Sequence, residues 1–394
     1  LTALTNFYTG YKRELRWLLI VGGLVLALLL LQPLLVDKKV SRMMMTTVTG
    51  LLVGGVYALI ALGIVIINKA SGVFNFAHGL MMLFGAMLFY SFFSVAQVNP
   101  LAAGALVLAT ALMVLTMGGR DSLRNPRHLA LAAVAVVVLT ALLSVQISGF
   151  QLIRAVIGGL VGAVLIGLCV ERFAIRPLIG QPLFASVLMT LAVSEIMLGL
   201  TQMTWGSVEI PLQIFAGLNS LGIPTPIRFE DVIDGNITIR TELVITFILA
   251  LVAFGAFVAF FRYTSVGLAM RATAENQELA RSVGLRVRFI LAIAWGIAAL
   301  LAMVGGVLQG GATSLSLNMP ALALRAFPAV LLGGLESIGG ALVGGLIIGL
   351  VQEWANFLFP GTQAGTELAP YVVLMLVLVV RPDGLFGEKR IERI

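Results

Sequence analysis

Charge is scarce in this chain and cysteine is almost absent. Only 11% of its 394 residues are Asp, Glu, Lys or Arg, where a soluble domain carries roughly a quarter. Cys169 is the single cysteine and sits inside an apolar run, which excludes a disulfide framework and a thiolate metal site. The two histidines, His78 and His128, stand 50 residues apart and do not make a metal cluster. There is no Gly-x-x-x-x-Gly-Lys-Ser/Thr loop to cradle nucleotide phosphates, no His-Glu-x-x-His and no Gly-x-Ser-x-Gly. The reading is therefore not an enzyme, with no catalytic residue, no metal and no cofactor. If ATP drives this protein, hydrolysis occurs on another chain.

What the chain has is hydrophobic length. It is 60% hydrophobic with a mean hydropathy of +1.06, so it is an integral membrane protein. The 43 glycines suit tightly packed transmembrane helices, where small residues let backbones approach. With about 20 apolar residues needed per crossing, candidate spans fall at 17–35, 44–67, 79–96, 100–118, 129–148, 151–170, 183–204, 243–261, 289–310, 321–335, 340–357 and 370–381. The class is an all-α polytopic membrane protein with about 11–12 transmembrane helices. Spans 321–335 and 370–381 are short. The pairs Gly333-Gly334 and Gly339-Gly340 around Glu336 point to a broken or re-entrant element there.

Run 17–35 follows Lys12, Arg13 and Arg16. It is long for a signal-peptide core and ends in Gln32-Pro33 without a small-residue cleavage pattern, so it reads as an uncleaved span. The chain opens on Leu1, so some N-terminal sequence is expected to precede it. Twelve spans put both termini on one side, together with 18 of the 25 basic residues; Lys38, Lys39, Arg42, Arg154, Arg228, Arg240 and Arg325 fall on the other. The basic side is expected to be cytoplasmic. This gives an N-terminal tail and extra span over 1–43, a permease-like membrane domain over 44–387 and a tail over 388–394. Within the domain, 205–242 is an extracytoplasmic loop and 262–288 a cytoplasmic one. Gly50-Leu-Leu-Val-Gly-Gly55 and Gly340-Ala-Leu-Val-Gly-Gly345 share a pattern, which favours close helix packing over a true internal repeat.

Two stretches carry chemistry. Gly72-Val-Phe-Asn-Phe-Ala-His-Gly79 puts polar groups and glycine between two apolar runs. Such an interruption makes sense lining a pathway or an interface and little sense against lipid, where each unsatisfied polar group costs several kcal/mol. His78 reads equally as a pathway residue or a structural hydrogen-bond partner. In loop 262–288, residues 269–282 lack Pro and Gly and are expected to form one short helix that stops at Gly284. Ala272, Leu279, Ala280 and Val283 would share one face, with Arg271, Glu275, Glu278 and Arg281 on the other. That helix is either an insert for a groove on a cytoplasmic partner or a solvated anchor.

Ala274-Glu-Asn-Gln-Glu-Leu-Ala-Arg-Ser-Val-Gly-Leu285 resembles the coupling-helix motif of ABC importer permeases of the branched-chain amino acid permease family, the high-affinity branched-chain amino acid and urea-amide type. Four further stretches are similar to that family in the same order. They are Tyr57-Ala-Leu-Ile-Ala-Leu-Gly63 with 72–79, Glu171-Arg-Phe-Ala-Ile-Arg-Pro-Leu178, the run from Ala326 to Ala341, and Arg381-Pro-Asp-Gly-Leu-Phe-Gly387. The resemblance implies a permease that pairs with a second homologous permease, two cytoplasmic ABC ATPases and an extracytoplasmic substrate-binding protein, in the bilayer of a prokaryotic cytoplasmic membrane with both termini inside. It implies no nucleic acid. Arg271, Ala274, Glu275, Glu278 and Gly284 would couple to the ATPases; Asn75 and His78, with Ala77 and Gly79, would be a re-entrant motif near the pathway. The implied cargo is a branched-chain or other hydrophobic amino acid, or a small polar solute such as urea or an amide.

Two features depart from that family's pattern. Residues 97–150 insert two extra apolar runs, and Glu195 puts a carboxylate inside an apolar helix, where it becomes a candidate pathway residue. The alternatives are a stand-alone secondary transporter or channel using Glu195 and His78, and an integral-membrane enzyme. The first needs a basic partner for Glu195 in a neighbouring span, and the second needs clustered His, Asp or Glu; neither is evident in the sequence.

Overall fold

The computed structural model describes residues 39–94, 98–147, 149–218, 222–232, 235–275, 277–361 and 363–387. The 17–35 run and the 388–394 tail lie outside the described residues. Helices run α1 Val40–Ser71, α2 His78–Ser94, α3 Pro100–Met117, α4 Arg120–Arg124, α5 Pro126–Ser144, α6 Gln151–Cys169, α7 Leu183–Trp205 and α8 Thr241–Tyr263. They continue as α9 Ser265–Glu275, α10 Gln277–Ser282, α11 Val287–Ala312, α12 Pro320–Gly333, α13 Ile338–Leu358 and α14 Gln363–Val380. Among the described residues, eight of these helices are long and apolar enough to cross a membrane. The shorter apolar helices α2, α12 and α14 answer to the expected spans 79–96, 321–335 and 370–381. The all-α polytopic class holds.

Burial separates a centre from a periphery. The apolar stretch of α1 is 89% buried and that of α11 78%, whereas that of α5 is 6% buried. A helix at the centre touches protein on every side, and one at the rim shows lipid an apolar face. Helix α1 packs on α8, α11, α12 and α13, and α11 also seats α2 and α6. Helices α3 and α5 form a hairpin held on α6, so the inserted runs sit outside the core. Arg154 fastens that hairpin: fully buried, it donates from Nε to Phe92 O (2.8 Å) and from Nη1 to Val145 O (3.3 Å).

The similarity of the two glycine motifs has a packing meaning. A Cβ on Gly349 would lie 2.4 Å from the Cα of Gly54, and one on Gly345 would lie 2.4 Å from the backbone nitrogen of Ala58. Thus Gly50 and Gly54 meet Gly345, Gly349 and their neighbours in one α1–α13 contact in which backbones touch, while Gly55 faces Phe247 of α8 and Gly340 and Gly344 face α12. Tyr57 crosses the same contact and donates to Gln352 Oε1 (2.6 Å) in the buried interior.

The element around Glu336 is a helical hairpin. Helix α12 has 14 residues, about 21 Å, and is too short to cross the roughly 30 Å apolar core alone. It ends at Gly334 (φ 104°), and Ser337 caps α13 by accepting from Gly340 N (2.9 Å). Gly333 and Gly340 pass so closely that a Cβ on either would lie within 2.2 Å of the other's backbone.

One loop gains detail and one local expectation is corrected. Loop 205–242 contains an antiparallel pair, β1 Ile227–Val232 and β2 Gly235–Ile239, with Ile227 opposite Ile239. In 262–288 the helical residues begin at Ser265, four earlier than expected, because the Thr264 hydroxyl accepts from Gly267 N (3.0 Å) and caps the turn. They lie in two segments on either side of residue 276.

The ends of the bundle are distinct. Lys69 donates to Glu336 O (3.0 Å), and the tail's Leu385 and Phe386 donate to Leu332 O and Gly333 O. Met270 and Ala274 of α9 line a small gap with Lys69, Ala70 and Ile338. Helix α8 runs from β2 to α9, so the hairpin lies at the opposite end, where Ile210 and Leu315 exchange both backbone hydrogen bonds (2.8 Å).

Candidate functional site

The motif 72–79 folds back into the bundle. Helix α1 stops at Gly72, whose φ of 68° turns the chain while its N–H still bonds Asn68 O (2.7 Å). Six residues later the ring of His78 rests against Gly63. Gly63 is eight residues before the end of α1, about 12 Å back along the axis, so α2 starts well inside the bundle. Irregular backbone at such depth is tolerated only inside protein, and here Asn75 and several backbone groups have partners. Asn75, fully buried, accepts from Ala77 N (3.0 Å) through Oδ1 and donates to Met81 Sδ (3.3 Å). Phe76 N donates to the Thr190 hydroxyl of α7 (3.3 Å), which itself reaches Val187 O (2.8 Å) and Phe74 O (3.4 Å). Phe74, Phe76 and Phe327 of α12 form a triad with ring centroids 4.9–5.5 Å apart.

His78 itself has no exposure, and neither ring nitrogen has a hydrogen-bond partner among the described residues. The structural hydrogen-bond reading of this residue therefore finds no bond to rest on. What the ring does is pack, filling the space over Gly63 while Gly79 lets Pro320 of α12 approach. The motif is thus pinned by α1, α7 and α12 together. Thr190 was the piece that sequence reasoning missed; a lone threonine in an apolar helix carries no signal of the loop it serves.

Glu195 is not part of this arrangement. The inward face of α7 is Ser186, Thr190, Met197 and Thr201, all buried, a helical stripe. Glu195 lies five residues after Thr190, about 140° round the helix, and is exposed. Glu195 and His78 are therefore not brought together as a proton-linked pair.

Loop 262–288 is anchored by four residues of α9 and α10. Gly267, Met270, Thr273 and Ala280 are buried, while Leu268, Leu279 and Val283 are 60%, 62% and 71% exposed. The expected apolar face thus points out, apart from Ala280. Arg271 folds back on the end of α8, bonding Phe261 O and lying 5.5 Å over the Phe261 ring. Ala274 faces α1 and Ile338, and Glu275 is exposed. The backbone of Glu278 belongs to α10, and its side chain lies outside the described residues. Gly284 (φ 88°) ends α10: Leu285 N donates to Ala280 O (2.9 Å) and Gly284 N to Arg281 O (3.0 Å), the pairing of a Schellman stop.

The 171–178 motif forms a joint. After α6 the helix widens into a π turn over Val170–Ile175 and tightens into a 3-10 turn over Arg176–Leu178. Five residues apart, Glu171 and Arg176 would diverge on an ordinary helix; the wide turn puts them on one side. Arg176 then grips the buried Glu171 through Nε (2.9 Å) and Nη2 (2.7 Å).

Fold and site together define a polytopic helical permease domain with a buried re-entrant motif and an outward-facing helical loop at one end. The sequence profile of the branched-chain amino acid transport system / permease component family matches residues 46–380, and the chain belongs to that family. It is similar to the high-affinity branched-chain amino acid transport system permease protein LivH of Escherichia coli K12, 28% identical over 353 residues, covering 88% of this chain and 96% of that one. It is also similar to permease protein BraD of Pseudomonas aeruginosa, 27% identical over 351 residues with the same coverage. A third relative is the probable branched-chain amino acid transport permease protein LivH of Methanocaldococcus jannaschii, 28% identical over 250 residues, covering 61% of this chain and 75% of that one. No solved structure matches the chain. It is thus a permease subunit of an ABC importer for branched-chain amino acids or related solutes, and not an enzyme.

Proposed function

We propose that this subunit carries its solute by alternating access, driven by ATP hydrolysed on two separate ABC ATPases that bear on α9 and α10. The observation that carries the reading is the outward display of Leu268, Leu279 and Val283 on a segment whose other side is sunk against α1 and α11 through Met270 and Ala280. Exposed apolar residues on a short, firmly seated helical segment suit a groove on a soluble partner. Lys69, Arg172, Arg176, Arg281, Arg286, Arg288 and Arg381 belong to the same end, which supports a cytoplasmic assignment for it and for the C-terminus. The hairpin end would then meet the substrate-binding protein, and a second homologous permease would complete the pathway.

In this scheme Arg271, Ala274, Glu275, Glu278 and Gly284 serve coupling in different ways. Arg271 and Gly284 shape the loop, Ala274 passes its movement to α1, and Glu275 with Glu278 meets the ATPase. Asn75 and His78 hold the re-entrant motif beside the path. Glu195, exposed on α7, would face the second permease or lipid instead of the solute. The cargo is a branched-chain or other hydrophobic amino acid or a related small solute. The test is replacement of Glu275 or Gly284 in the assembled transporter: ATPase co-purification and ATP-driven uptake should fall, and unchanged assembly and uptake would sink the coupling assignment.

A further inference from the structure

Three helix ends meet around an open cavity of about 1100 Å³, made by residues 116–119 after α3, the joint at 172–179 after α6, and 281–289 between α10 and α11. Its walls carry five arginines, Arg172, Arg176, Arg281, Arg286 and Arg288, and, among the described side chains, no carboxylate. Of these five, among the described side chains, only Arg176 has an ion-pair partner, the buried Glu171. Arg286 and Arg288 flank the start of α11, a 26-residue helix with no side-chain cap. There the first N–H groups and the helix dipole already favour an anion. Cations at that end of a helix work against its dipole, so the arrangement is unfavourable until a negative group enters.

We propose that this cavity binds the phosphate of an anionic phospholipid headgroup. Guanidinium groups meet phosphate oxygens in forked pairs, and basic pockets between membrane helices on one side of the bilayer suit acidic headgroups. The level is right as well, because the cavity lies where three membrane helices end, beside Met117 and Leu123. Above it Leu112 and Leu108 of α3 are exposed and offer an acyl chain a path. The site joins the inserted α3–α5 hairpin to the segment leading from α10, and gives that insertion a task no permease motif supplies. A soluble phosphate shares the chemistry but not the acyl contact.

The experiment uses the full chain in nanodiscs of phosphatidylcholine, with and without phosphatidylglycerol, reading retained lipid by native mass spectrometry and the thermal unfolding midpoint at two salt concentrations. Phosphatidylglycerol should be retained and should raise the midpoint, less so at high salt. Combined Arg172→Gln, Arg286→Gln and Arg288→Gln should weaken retention roughly a hundredfold, while Arg228→Gln, in the hairpin at the other end, should not. If the triple variant does not fold, Arg286→Gln alone is read in the same assay and should lower retention. Equal retention by variant and parent overturns the proposal, as does a parent that shows no preference for phosphatidylglycerol. Stabilisation by inorganic phosphate in pure phosphatidylcholine, with no effect of phosphatidylglycerol, would assign the cavity to a soluble anion and overturn the lipid.

Discussion

The ring of His78 occupies the space a side chain on Gly63 would need: a Cβ there would lie 2.5 Å from the imidazole Cε1. This contact, with those of Thr190 and Phe327, holds the start of α2 back inside the bundle. Gly63→Ala should therefore lower stability by about 1–3 kcal/mol through overpacking. His78→Ala in the same chain should restore part of it. Thermal unfolding of the two single variants and the double variant checks this; additive losses would mean the contact does not help to hold α2 there.

The pair Glu171–Arg176 is read the same way. Glu171→Gln leaves Arg176 partly buried without its carboxylate and should cost roughly 3 kcal/mol. Neutralising both should cost less than Glu171→Gln alone. A double variant at least as unstable as the single one would show that the pair is not the joint's main fastening.

Glycines at the α1–α13 contact and on the rim should behave in opposite ways. Gly345→Ala drives a methyl group into the backbone of Ala58 and should destabilise by about 1–3 kcal/mol or more. Gly199→Ala, on α7, meets nothing within 4 Å and should be neutral or stabilising by up to about 1 kcal/mol. Unfolding midpoints in one detergent compare them directly.

Leu279→Asp and Val283→Asp alter exposed positions and should change stability by less than about 0.5 kcal/mol. Co-purification of the ATPases and ATP-driven uptake should nevertheless fall sharply. Normal ATPase recovery from both variants would argue that the partner grips elsewhere.

Glu195→Gln should leave ATP-driven uptake and its pH profile close to those of the parent, since the carboxylate lies on the far side of α7 from the re-entrant motif. Uptake that becomes insensitive to a proton gradient in this variant, having been sensitive before, would revive a proton-linked transporter.

Most of the helices were legible as apolar runs, because twenty uncharged residues in a row have few other uses. Depth and facing were not. In a bilayer both the lipid side and the protein side of a helix are apolar, so periodicity cannot tell that α7 buries Thr190 and turns Glu195 outward. In α9 and α10 the same limit shows differently: the sequence grouped Leu279 and Val283 with Ala280, yet Ala280 is buried while the other two stand exposed. Glycine told more: Gly284 marked a helix stop that is there, and Gly54 and Gly345, one from each matched motif, meet in a real contact. The return of α2 to the level of Gly63 depends on Thr190 and Phe327, each remote in sequence, and no local pattern announces it.

Helix α1 is unbroken for 32 residues, about 48 Å, and touches β2 at one end and α9 at the other. An unbroken helix with both its tips engaged has little slack. If a partner on α9 drew one tip sideways, the other tip would swing, and under the proposed scheme the passage would not stand open at both mouths. The single continuous helix would thus act as a timing shaft, and a proline placed at its middle should let the two ends of the subunit fall out of step.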